Sequence, residues 1–128
     1  MKKYLLDTNI VIWSRTADSR LGAEVSRILQ DAEEYVYYSI INPWEIAIKH
    51  ALGKLPLPKD FFNILPKQGF AFLPVTEHHV QVLRTLPPLH RDPFDRMLVA
   101  QAYAEKMILI TSDERLTAYP IKTLMATA

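Results

Sequence analysis

Four carboxylates in this chain stand either just after an apolar strand-like run or in the first turn of a helical pattern. Asp7 lies in "YLLDTNIVIW", Glu45 in "YSIINPWEIAIK", Asp95 in "HRDPFDRMLVAQA" and Asp113 in "ILITSDERL". Two such charges about 4 Å apart repel by roughly 4 kcal/mol at an effective dielectric of about 20. If they converge, they either keep protons or bind a cation. Oxygen donors without cysteine favour Mg²⁺ or Mn²⁺, and therefore phosphoryl or phosphodiester chemistry.

The order of the elements predicts that these carboxylates do converge, because strand-like and helical patterns alternate along the chain. The predicted strands are Lys3–Leu6, Tyr35–Ile40, Phe70–Val75, Met107–Ile110 and, at an edge, Ile121–Leu124. The predicted helices are Thr8–Trp13, Ala23–Ala32, Pro43–Leu52, Phe61–Leu65, Glu77–Leu86 and Pro93–Lys106. This alternation predicts an α/β fold with a mostly parallel sheet covered by helices on both faces. The carboxyl ends of parallel strands meet at one edge, where such folds bind their ligands.

Composition narrows the class of protein. The chain has 128 residues, of which 49% are hydrophobic and 23% charged, and we expect one globular domain spanning residues 1–128. The formal net charge of +1 argues against a general electrostatic attraction to nucleic acid or membrane. The absence of cysteine excludes disulfides, thiolate metal sites and a cysteine nucleophile. No long apolar segment follows the two lysines before Tyr4, so we expect a cytoplasmic protein without a membrane partner.

Each acid also has a purely structural interpretation. The segments "NPWE" and "DPFD" share a pattern in which Asn42 or Asp92 caps a helix, proline follows, and an acid stabilises the first turn. Taken alone, Glu45 is more often such a capping residue than a catalytic one. Glu45 could also pair with Lys49, and Asp92 with Arg96, at i, i+4 spacing.

The two strand-end acids differ in how well capping explains them. Asp113 could cap a short helix at residues 114–118, as could Ser112. Asp7 could cap the helix that begins at Thr8. However, burying a carboxylate between two apolar runs costs more free energy than a surface cap contributes, unless something binds the carboxylate. We therefore favour a functional role for Asp7.

Together, the four acidic segments resemble the motifs of the PIN-domain nucleases. More narrowly, "WEIAIKHALGKLPLP" and "HRDPFDRMLVAQA" resemble the VapC-type ribonuclease toxins of bacterial toxin–antitoxin pairs. The resemblance covers nearly the whole chain. It implies a three-layer α/β/α sandwich, dependence on Mg²⁺ or Mn²⁺, cleavage of RNA, a VapB-type antitoxin partner and a homodimer.

The resemblance also assigns the site, transferring the four family acids to Asp7, Glu45, Asp95 and Asp113. Asp7 and Asp95 would hold the main ion, Asp113 would be a third ligand or hold a second ion, and Glu45 would orient or deprotonate the attacking water. The small polar residue after the first acid corresponds to Asn9. Asp92 is an additional acid, so the choice between Asp92 and Asp95 as the direct ligand is partly open. Asp95 is favoured because it directly precedes the helical stretch "RMLVAQA", as the family acid does. "INPWE" departs from relatives that often have Ser-Leu in place of Asn-Pro.

Other residues are candidates for holding RNA or for packing. Possible phosphate contacts are Arg15, Lys49, Lys54, Arg91 and Arg96. For any one of them taken alone, a solvated face with local ion pairs is the better interpretation. Trp44 and Phe94 could stack on bases, although core packing is the better interpretation. The four histidines are too scattered to predict a histidine-based mechanism, and we interpret them as surface or packing residues: His50, His78, His79 and His90.

Two other functions fit part of the pattern. Asp7-Thr8-Asn9 approaches the Asp-x-Asp motif of haloacid-dehalogenase-like phosphatases, which form an aspartyl-phosphate. Asn9 in place of the second acid, and no clear downstream lysine, count against this function. The second alternative is a binding module that keeps the fold without catalysis, which the presence of all four acids disfavours.

Overall fold

The computed structural model, which describes residues 1–128, has five parallel strands in one sheet. The strands are β1 (Lys3–Leu6), β2 (Tyr35–Ser39), β3 (Ala71–Leu73), β4 (Ile108–Thr111) and β5 (Lys122–Met125). Their order across the sheet is β3-β2-β1-β4-β5. The first strand is central because its residues alternate between two apolar faces, with Leu5 and Leu6 both fully buried. The predicted parallel α/β fold is confirmed.

Six α-helices connect the strands. They are α1 (Thr8–Thr16), α2 (Ala23–Gln30), α3 (Ile41–Ala51), α4 (Phe61–Ile64), α5 (Glu77–Thr85) and α6 (Pro93–Glu105). Short 3-10 helices span Leu65–Lys67 and Glu114–Ala118. No helix combines the length and the apolar character that crossing a membrane requires.

Two apolar cores lie on the two faces of the sheet and make the fold three-layered. The first contains Leu6 of β1 together with residues of α1, α2 and α4, such as Ile10, Val25 and Phe61. The second contains Leu5 together with residues of α5 and α6, such as Val82. Because successive side chains of a strand point to opposite faces, β1 holds the two cores together and its carboxyl end has a fixed position.

The carboxyl ends of β1 and β4 are adjacent, which is the feature that positions the site. Leu6 pairs with Ile110 in a parallel register, and the Asp7 N–H donates to the Ile110 carbonyl at 2.9 Å. Asp7, the residue after β1, is therefore held at the same edge of the sheet as the end of β4.

The predicted elements agree with the structure to within two residues at each end, except that α1 continues three residues beyond Trp13 to Thr16. The two-residue difference at the start of α3 matters because it changes the role of Asn42. The sequence predicted a helix beginning at Pro43 with Asn42 as its cap, whereas the helix begins at Ile41 and includes Asn42 in its first turn. The predicted stop is correct, because Gly53 follows the helix with φ +70° and relieves the strain of a left-handed turn.

Candidate active site

Asp7 follows β1 directly and is 5% exposed. One carboxylate oxygen accepts from the Thr8 N–H at 2.7 Å, so Asp7 does cap α1 as its structural interpretation predicted. The other oxygen accepts from the Thr111 hydroxyl at 2.5 Å. The cap alone does not explain the burial, because the second oxygen lies deep between two strand ends.

Thr111 connects the first acid to the fourth. Its Oγ1 donates to Asp7 and accepts from the Asp113 N–H at 3.0 Å. Asp113 also caps the 3-10 helix after β4 through a bond from the Arg115 N–H, as predicted. The Arg115 guanidinium donates to both Asp113 oxygens, at 3.0 and 2.8 Å. Sequence reasoning missed both Thr111 and Arg115.

At the start of α6, the two neighbouring acids take different roles. One oxygen of Asp92 accepts from the N–H groups of Phe94 and Asp95 at 2.8 and 3.2 Å, so Asp92 is the helix cap. The suggested pair between Asp92 and Arg96 does not form, since Arg96 instead reaches the Leu86 carbonyl at 3.4 Å. Asp95 accepts none of the capping bonds, and its side chain is 15% exposed.

His90 lies among these acids, contrary to its interpretation as a surface or packing residue. Its Nε2 is 3.2 Å from Asp113 Oδ2 and 3.6 Å from Asp95 Oδ2, and its side chain is 7% exposed. No metal-ligand spacing in the sequence signalled this position, because the contacts join residues from separate elements. The one available signal was that His90 is the first residue of the third acidic segment.

Glu45 is buried, and it does not cap a helix. Its Oε1 accepts from the Thr8 hydroxyl at 2.6 Å, and its Oε2 accepts from Lys49 at 2.5 Å. Because α3 begins two residues earlier than predicted, Glu45 lies beyond the first turn and its capping interpretation is wrong. The suggested pair with Lys49 does form.

Asn42 fixes the start of α3 against β1 and β2. Its carbonyl oxygen accepts from the Ser39 N–H at 2.8 Å, and its amide donates to the Leu6 carbonyl and to Thr8 Oγ1, at 3.1 and 3.2 Å. Asn42, one of the two residues at which this chain departs from the family pattern, therefore binds the buried Thr8 hydroxyl, which in turn donates to Glu45.

The electrostatics of this pocket show that the acids are close enough to interact. Burial, followed by the charges of Asp7, Asp92, Glu45 and Asp113, raises the pKa of Asp95 to about 8. Burial also raises the pKa of Asp7, although its hydrogen bonds from Thr111 and Thr8 oppose this. The hydrogen bond from the Arg115 side chain lowers the pKa of Asp113 to about 2. The pocket therefore has excess negative charge that a cation would relieve.

The donor set fits a divalent cation. Ligand-type atoms of His90, Asp95 and Asp113 lie within 4.8 Å of one another, and the Asp7 carboxylate raises the pKa of Asp95 from the same pocket. Carboxylate oxygens dominate the set, which is the preference of Mg²⁺ and Mn²⁺.

The remaining predicted site residues lie at the margin. Asn9 is exposed on α1 and makes none of the hydrogen bonds of the pocket; the buried Thr8 does. Arg15 and Arg96 are partly buried, and the Nε atom of each lacks a hydrogen-bond partner. Arg91 and Lys54 are exposed.

An apolar face runs beside the acidic pocket. Apolar side chains recur every four residues along α3 and at the residues that flank its two ends: Ile40, Trp44, Ile48 and Leu52 are 41%, 56%, 39% and 64% exposed. Trp44 meets Phe94 edge to face with ring centroids 5.1 Å apart, and a groove of about 430 Å³ opens between them and neighbouring apolar side chains. The prediction that Trp44 packs in the core is wrong.

The fold and the acidic pocket together define a class of α/β protein with a carboxylate site at the strand ends. The PIN domain family model matches residues 4–122, and the chain therefore belongs to the PIN domain family. No curated protein sequence matches this chain significantly.

Solved structures share the fold over nearly the full length. A Rickettsia felis VapBC2 structure, bound to a DNA fragment from its promoter, is 15% identical with a TM-score of 0.72, covering 95% of this chain and 97% of that one. DNA-bound VapBC from Salmonella typhimurium is 18% identical with a TM-score of 0.66, covering 98% of this chain and 98% of that one. FitAcB from Neisseria gonorrhoeae is 22% identical with a TM-score of 0.65, covering 94% of this chain and 96% of that one. At these identities the likeness concerns the fold.

Proposed function

We propose that this protein is a divalent-metal-dependent endoribonuclease and the toxin of a type II toxin–antitoxin pair, acting in the cytoplasm as a single domain. The observation that carries the proposal is the acidic pocket, where ligand-type atoms of His90, Asp95 and Asp113 lie within 4.8 Å of one another. Burial, followed by the charges of the neighbouring acids, raises the pKa of Asp95 there to about 8. A stable monomeric fold gains nothing from burying these acids without a ligand. Membership of the PIN domain family supports the choice of nuclease chemistry.

Asp7, Asp95 and Asp113 are the residues that would hold Mg²⁺ or Mn²⁺. When bound, such an ion would lower the pKa of a water molecule that it binds, and would offset negative charge on a phosphate and on the leaving oxygen. Asp95 has to give up its proton for this purpose, because its raised pKa keeps it largely neutral at pH 7. Thr111 holds Asp7 and the backbone of Asp113 in register, so both carboxylates are oriented before anything binds.

Glu45 is the residue that we propose to orient the attacking water or accept its proton. Each of its oxygens already accepts one hydrogen bond, from Thr8 or from Lys49, and each retains a second lone pair for water. Lys49, whose side chain is 45% exposed, also places a positive charge where an approaching phosphate would pass. With water as the nucleophile, the bond between phosphorus and the 3′ oxygen breaks and the 3′ oxygen leaves, so the products carry 5′-phosphate and 3′-hydroxyl ends.

RNA also needs contacts outside an acidic pocket that repels its backbone. We propose that phosphates on either side of the cut contact Lys49, Arg91 and the partly buried Arg15 and Arg96. Arg91 and the Lys49 side chain are exposed to solvent, so a phosphate can reach them.

The experiment for this function is cleavage of labelled RNA with Mg²⁺. We expect cleavage that stops with a chelator and is lost in Asp7→Asn, while Asp60→Asn serves as the control, because Asp60 is exposed and its side chain makes no hydrogen bond. Cleavage in excess chelator, or full activity of Asp7→Asn, would overturn the proposal. Mapping of the product ends tests the water mechanism separately.

For partners, we propose a VapB-type antitoxin and a homodimer. A cationic side chain from the antitoxin could enter the acidic pocket and block it. The exposed apolar stripe of α3 supports self-association, because monomers rarely leave such a surface uncovered. We expect a dimer by light scattering, which Ile48→Glu disrupts and Phe62→Glu, on a different exposed side chain, does not. A monomeric wild-type protein would refute the dimer.

A further inference from the structure

His90 occupies a fixed position beside the acidic pocket. It lies in the segment between α5 and α6, and its backbone N–H donates to the Tyr119 hydroxyl at 3.0 Å. Its side chain is 7% exposed. The backbone anchor and the burial together leave the ring little freedom to turn away from the acids.

The hydrogen bonds of the ring assign its protons. Nδ1 accepts from the Asp92 N–H at 3.0 Å, so Nδ1 carries no proton. The proton of the neutral ring is therefore on Nε2, which donates to Asp113 Oδ2 at 3.2 Å and faces Asp95 Oδ2 at 3.6 Å. In this tautomer, Nε2 has no lone pair for a metal ion.

We propose that His90 is a positioning residue, whose Nε2–H holds the Asp113 carboxylate beside Asp95 so that the pair binds a divalent cation. The inference rests on the proposed function and assigns to that site a residue that is not one of its acids. It also separates His90 from the ligands, although its nitrogen lies within 4.8 Å of their oxygens.

The physical reason is that Asp113 is pulled from two sides. Arg115 binds both of its oxygens from the solvent, with a side chain that is 72% exposed. His90 is the opposing donor on the buried side. Without it, Asp113 keeps only its bonds from the Arg115 backbone N–H and guanidinium. Once Asp95 is ionised, as metal binding requires, repulsion between the two carboxylates then favours the outward position of Asp113. Hydrogen bonds to ligating carboxylates typically change metal affinity about 10- to 100-fold.

The test compares two substitutions, each of which places a polar group near the position of only one of the two ring nitrogens. In His90→Gln, the amide N–H lies near the position of Nε2 and can still donate to Asp113. In His90→Asn, the shorter side chain reaches only the position of Nδ1, so the donor to Asp113 is lost. We expect Mn²⁺ affinity, measured by calorimetry without RNA, to fall about 10-fold or more in His90→Asn and by less than about 3-fold in His90→Gln. Equal affinities in the wild type and both variants would overturn the proposal.

A second readout needs no substitution and so does not depend on how the variants fold. Nitrogen-15 spectra of the wild-type imidazole distinguish a protonated from a bare ring nitrogen. We expect the proton on Nε2 both without metal and after Mg²⁺ is added. Transfer of the proton to Nδ1 on adding Mg²⁺ would show that the ring is a ligand, and would overturn the positioning role.

Failure of this inference and failure of the proposed function are distinguishable. If the wild type binds Mn²⁺ and His90→Asn weakens the binding but no RNA is cleaved, His90 keeps its role and the nuclease proposal fails. If RNA is cleaved with Mg²⁺ and the His90 variants bind Mn²⁺ like the wild type, the nuclease proposal stands and this inference fails. A wild type that binds no Mn²⁺ overturns both.

Discussion

Replacing Asp95 with asparagine should stabilise the metal-free protein at high pH. Asparagine has the size of aspartate but cannot ionise, so Asp95→Asn removes the cost of a charge that burial and four neighbouring acids disfavour. The sign follows from the two pKa values. In the folded chain the pKa of Asp95 is about 8, and in the unfolded chain it is about 3.9. Between these values the folded state holds a proton that the unfolded state has lost, so stability falls as pH rises.

The size of the effect follows from the same values. A pKa raised from 3.8 to about 8 sets an upper limit of about 6 kcal/mol, since each pKa unit is worth about 1.36 kcal/mol. The side chain is 15% exposed, and the mouth of the pocket admits solvent that screens its neighbours, so we expect about 2–3 kcal/mol. Below about pH 4 the two proteins should be equally stable.

The assay is urea denaturation in EDTA at several pH values from 4 to 9, compared between the wild type and Asp95→Asn. Other groups titrate in both proteins, so the difference between their free energies of unfolding isolates Asp95. Asp60→Asn is the control, because Asp60 is exposed and its side chain makes no hydrogen bond. When Mg²⁺ replaces EDTA at pH 9, it should stabilise the wild type and have much less effect on Asp95→Asn. A difference that does not change with pH, or a wild type that gains stability relative to the variant as pH rises, would refute the reasoning.

Three further substitutions test individual contacts. Asn42→Ala should cost about 2–3 kcal/mol in urea denaturation, because it leaves the buried Ser39 N–H and Leu6 carbonyl without their partner; an unchanged midpoint would contradict the bonding described for α3. Gly22→Ala should cost at least about 1–3 kcal/mol, because its new Cβ would lie 2.0 Å from the Ala128 carbonyl oxygen; thermal unfolding at the wild-type temperature would count against it. Thr111→Val removes the hydroxyl that donates to Asp7 and accepts from the Asp113 N–H. It should lower the rate of RNA cleavage about 10-fold or more with little effect on the circular dichroism spectrum; wild-type cleavage would contradict it.

The sequence was informative about the frame of the site for a physical reason. Strand ends of a parallel sheet share one edge, so apolar runs that stop at Asp7 and just before Asp113 indicate where those acids lie. Proline at the first helical position and a preceding aspartate correctly placed the start of α6. The similar "NPWE" segment misled, because Asn42 uses its side chain to join two strands to α3 rather than to cap it.

What the sequence did not reveal depends on contacts between distant residues. His90 meets Asp113 across 23 positions, and Thr111 meets Asp7 across 104; neither pair has a spacing that a local pattern encodes. The exposure of Trp44 was also unpredictable, because an aromatic residue at i, i+4 spacing with other apolar residues is usually buried. Such side chains are assigned only when the packing of α3 against its neighbours is known.

The most direct test is a crystal soaked in MnCl₂ and measured for anomalous scattering from manganese. We predict a peak at the carboxyl edge of β1 and β4, in contact with carboxylate oxygens of Asp7, Asp95 and Asp113, that is absent from crystals of Asp95→Asn. Manganese that binds only elsewhere on the surface, or that remains at this edge undiminished in Asp95→Asn, would contradict the account.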